Sequence, residues 1–457
     1  MSLNSIHEHE IIRHLGVTES LYDQEVLNGT MLITVLVETE AIDYSINLDL
    51  LNQACSCWID KYTLLGSTII RNKECGLKHF SYLNKSKLTN FTNVDIIETN
   101  DEMKHKEIIE NELKKKLNAD DGLLWRLKLI KLNLKNNYRY LFVYTVHHGI
   151  SDGKNCTILL NLIEIINKLI NKKEIIIQQV EIGKTVEELV KDYMKENNTS
   201  LLMDENIIYD NKTRMPSTGD EKNGVNANID YLEIDKYRLS KLLAKSRSNG
   251  IKLTGTLETI ICLAMRNTYI KHDLLELSKL NFQYYTLASV RDKLKIRNDQ
   301  MGVYSVGLDT ILDVDDLCIE NVWRIAFKQS KSLHSRLASN EDLKLINEME
   351  SFVCYLNETN KYDLNEYNFS HSLSNIGILD NKTNDDNDSS FIKLKAESFY
   401  FFMPVLEKRF CGLFFIGCST INNQLCLSFS FNSKKYNKQF VSDFKESILN
   451  IVNHLVD

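Results

Sequence analysis

Two adjacent histidines are the residues of this sequence best suited to chemistry. His147 and His148 are followed by two glycines and an aspartate in the stretch HHGISDG, residues 147–153. Neighbouring side chains of a strand point to opposite faces of its sheet, so a strand that ends here sends one imidazole to each side. Gly149 and Gly153 let the backbone turn sharply with no Cβ in the way. One histidine can therefore reach a cleft while the other packs inward.

The segments on either side predict the elements that position this turn. The preceding residues YRYLFVYTV are mostly aromatic or β-branched, which is typical of a strand buried on both faces. Ser151 or Asp152 lies where a helix N-cap is expected. The following apolar residues fall on one helical face: Ile158, Leu159, Leu162, Ile163, Ile166 and Leu169. The sequence therefore predicts a strand, a turn that carries the histidines, and a helix.

The composition is that of an ordinary globular protein. The chain has 457 residues, of which 43% are apolar and 26% charged, and its net charge is -7. This length predicts two domains, and the negative charge argues against a nucleic-acid partner. The ten cysteines include no CxxC pair, which indicates reduced thiols in a cytosolic protein. No leader peptide or membrane-spanning apolar run is visible, so a cytoplasmic location is expected. A monomer is also expected.

The pattern HHxxxDG resembles the signature of the CoA-dependent acyltransferase superfamily. Members of this superfamily include chloramphenicol acetyltransferase, alcohol O-acetyltransferases and the condensation domains of peptide synthetases. The motif R-x-L-G-x-x-E, from Arg13 to Glu19, is similar to the opening of the alcohol acetyltransferase branch, and Ser374-Asn375 begins a similar Ser-Asn-x-Gly strand. The plant branch carries DFGWG near its C-terminus, and this sequence has no such stretch. The resemblance is therefore closest to the alcohol O-acetyltransferase or condensation-domain-like branch.

The resemblance implies an α/β (α+β) fold. Two chloramphenicol-acetyltransferase-like subdomains are expected, each a mixed β-sheet flanked by helices, with a tunnel between them and His148 midway along it. The expected boundaries are an N-terminal subdomain at 1–185 that carries the motif, a crossover linker at 186–229, and a C-terminal subdomain at 230–457. The linker is predicted from its polar, turn-rich composition.

The resemblance also implies transfer of an acyl group, with acetyl expected, from acyl-CoA to a hydroxyl of a small or lipophilic acceptor. A neutral His148 can act as general base toward the attacking hydroxyl and then return the proton to the leaving thiolate. No acyl-enzyme is needed when both substrates meet in one tunnel. Acetyl-CoA is expected as co-substrate, with no bound cofactor or metal. The alternatives are an amide-forming or carrier-protein-dependent condensation enzyme and a catalytically inactive binding or scaffold relative.

Other residues have expected roles in this site. His147, His148, Asp152 and Gly153 form the expected catalytic turn, and backbone N–H groups around Gly153 are candidate oxyanion donors. Candidate substrate-binding side chains are Ser374, Asn375, His371 and Thr420. The resemblance implies a structural ion pair between Asp152 and Arg291, a residue of the second half of the chain.

Each of these residues also has a simpler interpretation. The histidine pair can be satisfied by local backbone, or can bind a metal with Asp152, although no third ligand stands out. Asp152 can be a plain helix N-cap, and Arg291 an exposed charge at a strand end. Ser374 and Asn375 can be ordinary strand and turn residues. His371, as a lone histidine, can simply be packed or exposed.

Overall fold

In the computed structural model the described residues are 10–23, 31–72, 76–83, 92–101, 103–117, 122–200, 227–274, 276, 281–351, 353, 369–379, 392–405, 413–433 and 436–457. The chain divides into two compact units. Unit 1 comprises Met1–Tyr193, Arg291–Tyr304 and Leu379–Met403. Unit 2 comprises Met194–Val290, Ser305–Ile378 and Pro404–Asp457.

Strands and helices both occur throughout the described part of the chain. The strands are β1 (Glu10–His14), β2 (Leu32–Thr39), β3 (Ser67–Arg71), β4 (Lys78–Tyr82), β5 (Val94–Thr99), β6 (Trp125–Asn133), β7 (Tyr138–His147), β8 (Ala227–Ile234), β9 (Phe282–Ser289), β10 (Ser305–Leu312), β11 (His371–Ile378), β12 (Ala396–Phe402), β13 (Phe414–Ile421) and β14 (Gln424–Asn432). The helices are α1 (Val17–Leu21), α2 (Leu48–Lys61), α3 (Lys104–Lys114), α4 (Ile158–Ile170), α5 (Val186–Glu196), α6 (Lys236–Ser248), α7 (Leu253–Lys271), α8 (Val322–Ala338), α9 (Glu341–Asn347) and α10 (Lys438–Val456).

Both units are built on mixed sheets flanked by helices, as predicted. Unit 1 has a five-stranded sheet in the order β12-β2-β7-β6-β5, in which β5 and β6 are parallel and the other pairs antiparallel. It also has an antiparallel sheet in the order β1-β4-β3. Unit 2 has a six-stranded sheet in the order β10-β9-β11-β13-β14-β8, in which β11 runs parallel to both of its neighbours.

The predicted strand, turn and helix around the histidines are confirmed. β7 is the central strand of the unit 1 sheet, and its aromatic and β-branched residues are buried as the sequence indicates. The Tyr144 ring of β7 lies 5.1 Å from the Trp58 ring of α2, and Trp58 lies 5.6 Å from the Trp125 ring of β6. Such edge-to-face aromatic contacts fix the sheet against its helical layer. The end of β7 is therefore a rigid position from which to project a side chain.

The units are not contiguous halves of the chain. Residues 291–304 and 379–403 belong to unit 1, although the predicted boundaries placed them in the C-terminal subdomain. The second segment provides β12, which pairs antiparallel with β2 at the edge of the unit 1 sheet. The predicted linker at 186–229 begins with the helix α5, and its residues 201–226 lie outside the described residues. Within the described part of the chain, no helix combines the length and apolar character that a membrane span requires.

Candidate active site

His147 is the last residue of β7 and is fully buried. Its Nδ1 accepts a hydrogen bond of 2.9 Å from the backbone N–H of Gly149. Because Nδ1 accepts, the ring proton lies on Nε2, which is 3.2 Å from Oδ1 of Asp23. A Cβ on Gly149 would lie 2.9 Å from His147 Nδ1, so this position accommodates only glycine without a shift of the ring. His147 therefore packs inward and holds the turn.

Asp23 is a member of the site that sequence reasoning missed. Its carboxylate contacts His147 on one oxygen and the Lys78 ammonium, at 2.5 Å, on the other. Burial raises the pKa of Asp23, but the hydrogen bonds with His147 and Lys78 outweigh it, and the net pKa is lowered. His147 lies 124 positions from Asp23 in the chain, and Lys78 lies 55 positions from it. No local sequence pattern could therefore have found these contacts.

His148 begins a short 3-10 turn, His148–Ile150, and is 5% exposed. Its ring stacks on the ring of Tyr22 with centroids 3.9 Å apart and an interplanar angle of 11°. Its Nδ1 is buried and has no hydrogen-bond partner among the described residues. Tyr22, like Asp23, was not singled out from the sequence.

The environment keeps the His148 ring neutral. Burial lowers its pKa from 6.5 to about 4, because a charged imidazolium loses its hydration inside the protein. The nearby backbone of His148 and Ser151 and the charge of Asp152 act in the opposite direction but do not compensate. A neutral imidazole is the form that can accept a proton at physiological pH.

The structure brings Asp152 and Arg291 together inside unit 1. Arg291 donates to Asp152 Oδ2 at 3.0 Å, and both side chains are almost completely buried. The same oxygen accepts from the backbone N–H of Tyr304 at 3.0 Å, and Oδ1 accepts from the backbone N–H of Asn155 at 2.9 Å. The N-cap of the 3-10 turn Asn155–Thr157 is Lys154, and that of α4 is Thr157, so neither Ser151 nor Asp152 takes the N-cap position that the sequence predicts. Of the two interpretations of Asp152, the geometry is that of the ion pair with Arg291.

Asn155 extends this network and was also missed from the sequence. Its Oδ1 accepts from Arg291 and from the backbone N–H of Gly302, and its Nδ2 donates to the Gln300 carbonyl at 2.7 Å. Arg291 also donates to the Gln300 carbonyl at 3.0 Å and lies 4.7 Å from the centre of the Tyr304 ring. A buried charge is tolerated when it is paired and hydrogen-bonded in this way. The network fixes residues 291–304 to the turn that carries the histidines.

The candidate substrate-binding residues lie in unit 2. Ser374 and Thr420 are buried residues of β11 and β13. Asn375 donates to Thr254 Oγ1 at 3.1 Å, and its own Oδ1 accepts from Gly377. His371 is fully buried, with Nε2 2.7 Å from Glu258 and Nδ1 3.0 Å from Ser370, and it stacks on Tyr284. Both ring nitrogens of His371 are therefore engaged within unit 2, as in the simpler interpretation of a packed side chain.

Gly153 lies between Asp152 and the turn Asn155–Thr157 and is partly buried. Its position in the turn is the one that the sequence assigned to it. The residues that the structure describes contain no group of three or more His, Cys, Asp or Glu side chains arranged to hold a metal ion.

No protein-family model matches the chain, and no curated protein matches its sequence. Solved structures do match. The trichothecene 15-O-acetyltransferase from Fusarium sporotrichioides is 11% identical, with a TM-score of 0.71, over 100% of this chain and 96% of that one. The first condensation domain of the CDA synthetase is 13% identical, with a TM-score of 0.66, over 97% and 96% of the two chains. Polyketide synthase associated protein 5 from Mycobacterium tuberculosis is 12% identical, with a TM-score of 0.62, over 98% and 99%. The chain therefore has the two-unit mixed α/β fold that an acetyltransferase and a condensation domain share.

Proposed function

We propose that this protein is an acyltransferase that moves an acyl group, most simply acetyl, from acyl-CoA to a hydroxyl of a small or lipophilic acceptor. The observation that carries the proposal is His148. It follows the rigid strand β7 in an HHxxxDG turn, and burial lowers its pKa to about 4, so that the ring is neutral. The fold is that of a known acetyltransferase and of condensation domains.

The proposed reaction is a single displacement at the thioester carbonyl. Nδ1 of His148 is buried, so we assign Nε2 as the atom that accepts the hydroxyl proton. The acceptor oxygen forms a bond to the carbonyl carbon, and the C–S bond then breaks. The imidazolium returns its proton to the leaving thiolate, which gives an ester and free CoA. No covalent intermediate with the protein is required.

The remaining residues have supporting roles in this proposal. Asp152 and Arg291 hold the turn, because their charged groups are hydrogen-bonded to each other and to backbone groups. The proposed donors to the oxyanion and the substrates remain the backbone N–H of Gly153 and the side chains of Ser374, Asn375 and Thr420. Placement of His148 in a tunnel, use of CoA and a cytoplasmic, monomeric state are parts of the proposal.

A second candidate function is amide formation or use of a thioester carried by a protein. It is favoured by the similarity of the fold to the first condensation domain of the CDA synthetase. The same histidine can take a proton from an attacking amine. The two functions differ in the acceptor and in the carrier of the acyl group, and an assay with alcohols and amines separates them by acceptor.

The test measures CoA release with a thiol-reactive dye. The protein is incubated with acetyl-CoA or longer acyl-CoAs and a panel of alcohols and amines, and products are identified by mass. We expect alcohol-dependent CoA release that falls roughly 100- to 10,000-fold in His148→Ala, the usual contribution of a general base. His454→Ala, which replaces an exposed histidine of α10, is the matched control and should retain full activity.

Three outcomes would contradict the proposal. Equal turnover by His148→Ala would remove the general base. Release that depends on amines alone would favour the condensation function. Retained CoA binding with no release for any acceptor would favour a binding protein.

A further inference from the structure

The motif R-x-L-G-x-x-E forms a clamp around the helix α1. The Arg13 guanidinium donates to both carboxylate oxygens of Glu19 at 2.7 Å, and its Nε donates to the Gly183 carbonyl at 3.0 Å. Glu19 in turn accepts from the backbone N–H of Gly16 at 2.8 Å. A bidentate arginine–carboxylate pair fixes both distance and orientation. We define these residues, Arg13, Gly16 and Glu19, as the α1 clamp.

A second contact fixes α1 from α5. Glu187 Oε1 accepts from both the backbone N–H and the hydroxyl of Thr18, at 2.7 and 2.6 Å. This carboxylate satisfies one of the N–H groups that a helix start leaves without a partner inside the helix. α1 ends at Leu21, so the clamp determines where the next two residues lie. Those residues are Tyr22 and Asp23.

We propose that Tyr22 and Asp23 are positioning residues for the two histidines, with Tyr22 orienting the His148 ring by stacking and Asp23 setting the tautomer of His147. The proposal rests on the proposed function in one respect, namely that His148 is the base. The carrying observations are the 3.9 Å stack on His148 and the 3.2 Å contact between Asp23 and His147. Neither Tyr22 nor Asp23 is assigned to contact a substrate.

The tautomer matters because His147 makes two opposed hydrogen bonds. When Asp23 accepts the Nε2 proton, the Nδ1 lone pair is free to accept the N–H of Gly149. In the other tautomer an Nδ1 proton would face the Gly149 N–H, and two donors would repel. The hydrogen bond between His147 Nδ1 and the Gly149 N–H spans the first residues of the turn, and His148 lies between these two residues. Loss of the Asp23 acceptor therefore releases the backbone that aims His148.

The first arm of the test does not require activity. Nitrogen-15 spectra of labelled histidine distinguish protonated from unprotonated ring nitrogens, and His147→Gln and His148→Gln assign the signals. We expect wild-type His147 to carry its proton on Nε2 alone. Asp23→Ala should give a mixture of tautomers, and Asp23→Asn, whose amide oxygen still accepts, should keep one. A single unchanged tautomer in Asp23→Ala would overturn the assignment to Asp23.

The second arm measures steady-state kinetics. Asp23→Ala should lower kcat about 100-fold with little change in KM, because a displacement of about 1 Å at a catalytic group has that cost. Asp23→Asn should recover most of it. Tyr22→Phe should resemble wild type because the stack remains, whereas Tyr22→Leu should lose kcat. Equal kcat in Tyr22→Leu and Tyr22→Phe would overturn the role of stacking.

The variant Lys78→Met distinguishes a role of Asp23 in positioning His147 from a role in attaching α1 to β4. Lys78 donates to Oδ2 and to the backbone carbonyl of Asp23, whereas His147 contacts Oδ1. Loss of the Lys78 ammonium therefore leaves the contact between Asp23 and His147 in place. We expect Lys78→Met to retain the His147 tautomer and most of kcat. If it reproduces Asp23→Ala in both arms, Asp23 only attaches α1 to β4. If wild type turns over no acceptor, the proposed function fails, and the spectra alone decide the role of Asp23 at His147.

Discussion

At His148, burial lowers the pKa of the ring and the neighbouring charge of Asp152 raises it. The ring is 5% exposed and stacks on Tyr22, and burial dominates, so its pKa lies at about 4. Asp152 is near enough to favour the charged ring, but its carboxylate is already hydrogen-bonded to Arg291 and two backbone N–H groups. The residue is therefore a weak base that is always available rather than a strong one that is often protonated.

We predict that the activity persists to unusually low pH. The His148 pKa is lowered from 6.5 to about 4, so the neutral ring survives as the pH falls and is lost only near pH 4. The acidic limb of kcat/KM should therefore lie near pH 4 rather than near pH 6.5. Circular dichroism over the same range is the control for folding. An acidic limb near 6.5 in folded protein would contradict the buried environment of His148.

The same shift predicts a loss of stability in acid. Between pH 6.5 and about 4 the unfolded chain binds a proton on His148 that the folded chain excludes. The free energy of unfolding should therefore decrease as the pH falls through this range. Denaturant titrations of wild type and His148→Gln, which lacks the titrating group, measure the difference. An identical pH dependence of the free energy of unfolding in the two proteins would contradict this prediction.

Asp152 and His148 should respond differently to replacement. Asp152→Ala leaves the buried Arg291 without its carboxylate, and breaking a buried ion pair costs about 3 to 5 kcal/mol of the free energy of unfolding. His148→Ala should lose activity and keep the fold. Glu107→Ala breaks the exposed Lys104–Glu107 pair and is the control with little effect. Full stability and turnover in Asp152→Ala would refute the structural role.

At the scale of elements, three parts converge on the histidine turn. β7 delivers the two histidines, α1 ends in the residues that contact them, and residues 291–304 support the turn through Asp152 and Asn155. The parts are rigid for different reasons. β7 lies at the centre of a packed sheet, α1 is held by the α1 clamp, and residues 291–304 are fixed by buried hydrogen bonds.

Gly16 tests the close contact between α1 and α5. A Cβ at this position would lie 2.4 Å from Glu187 Oε2 and 2.9 Å from Thr185 Cβ, so Gly16→Ala must displace α5 or its glutamate. We expect a loss of about 1 to 3 kcal/mol in the free energy of unfolding, as for other overpacked sites. Ser20→Ala on the same helix is the control and should be nearly neutral. Equal stability of the two variants would show that the contact relaxes freely.

At the scale of the whole molecule, each unit is assembled from separated parts of the chain. Unit 1 takes residues 291–304 and 379–403, which follow the first and the second segment of unit 2 in the chain. Without the second segment, β2 would lose its partner β12 and become an edge strand of the sheet. Without the first, the buried Asp152 would lose Arg291. The two units should therefore depend on one continuous chain.

This organisation predicts that residues 1–193 do not fold alone. The fragment lacks β12 and Arg291, and it should be poorly soluble or lack a cooperative unfolding transition. The full chain, unfolded under the same conditions by denaturant, is the reference. A soluble fragment with a cooperative transition would show that unit 1 does not need the two later segments.

The sequence by itself determined the local features of this protein. The pattern of β7 and α4, the turn between them and the glycine beside His147 follow from residues that are close in the chain. The C-terminal hairpin turn at Asn422 and Asn423 is of the same kind, because both residues adopt the positive φ that asparagine tolerates. In these cases the periodicity and the turn residues carry the information.

Only the tertiary structure decided what surrounds the histidines. Asp23 reaches His147 and Lys78 reaches Asp23 from distant segments, Tyr22 stacks on His148, and these contacts have no local sequence pattern. For the same reason the sequence does not show that the His371 ring is buried against Glu258. Burial, ring stacking and hydrogen bonds between remote segments set the protonation and orientation of a side chain, and they exist only once the chain has folded.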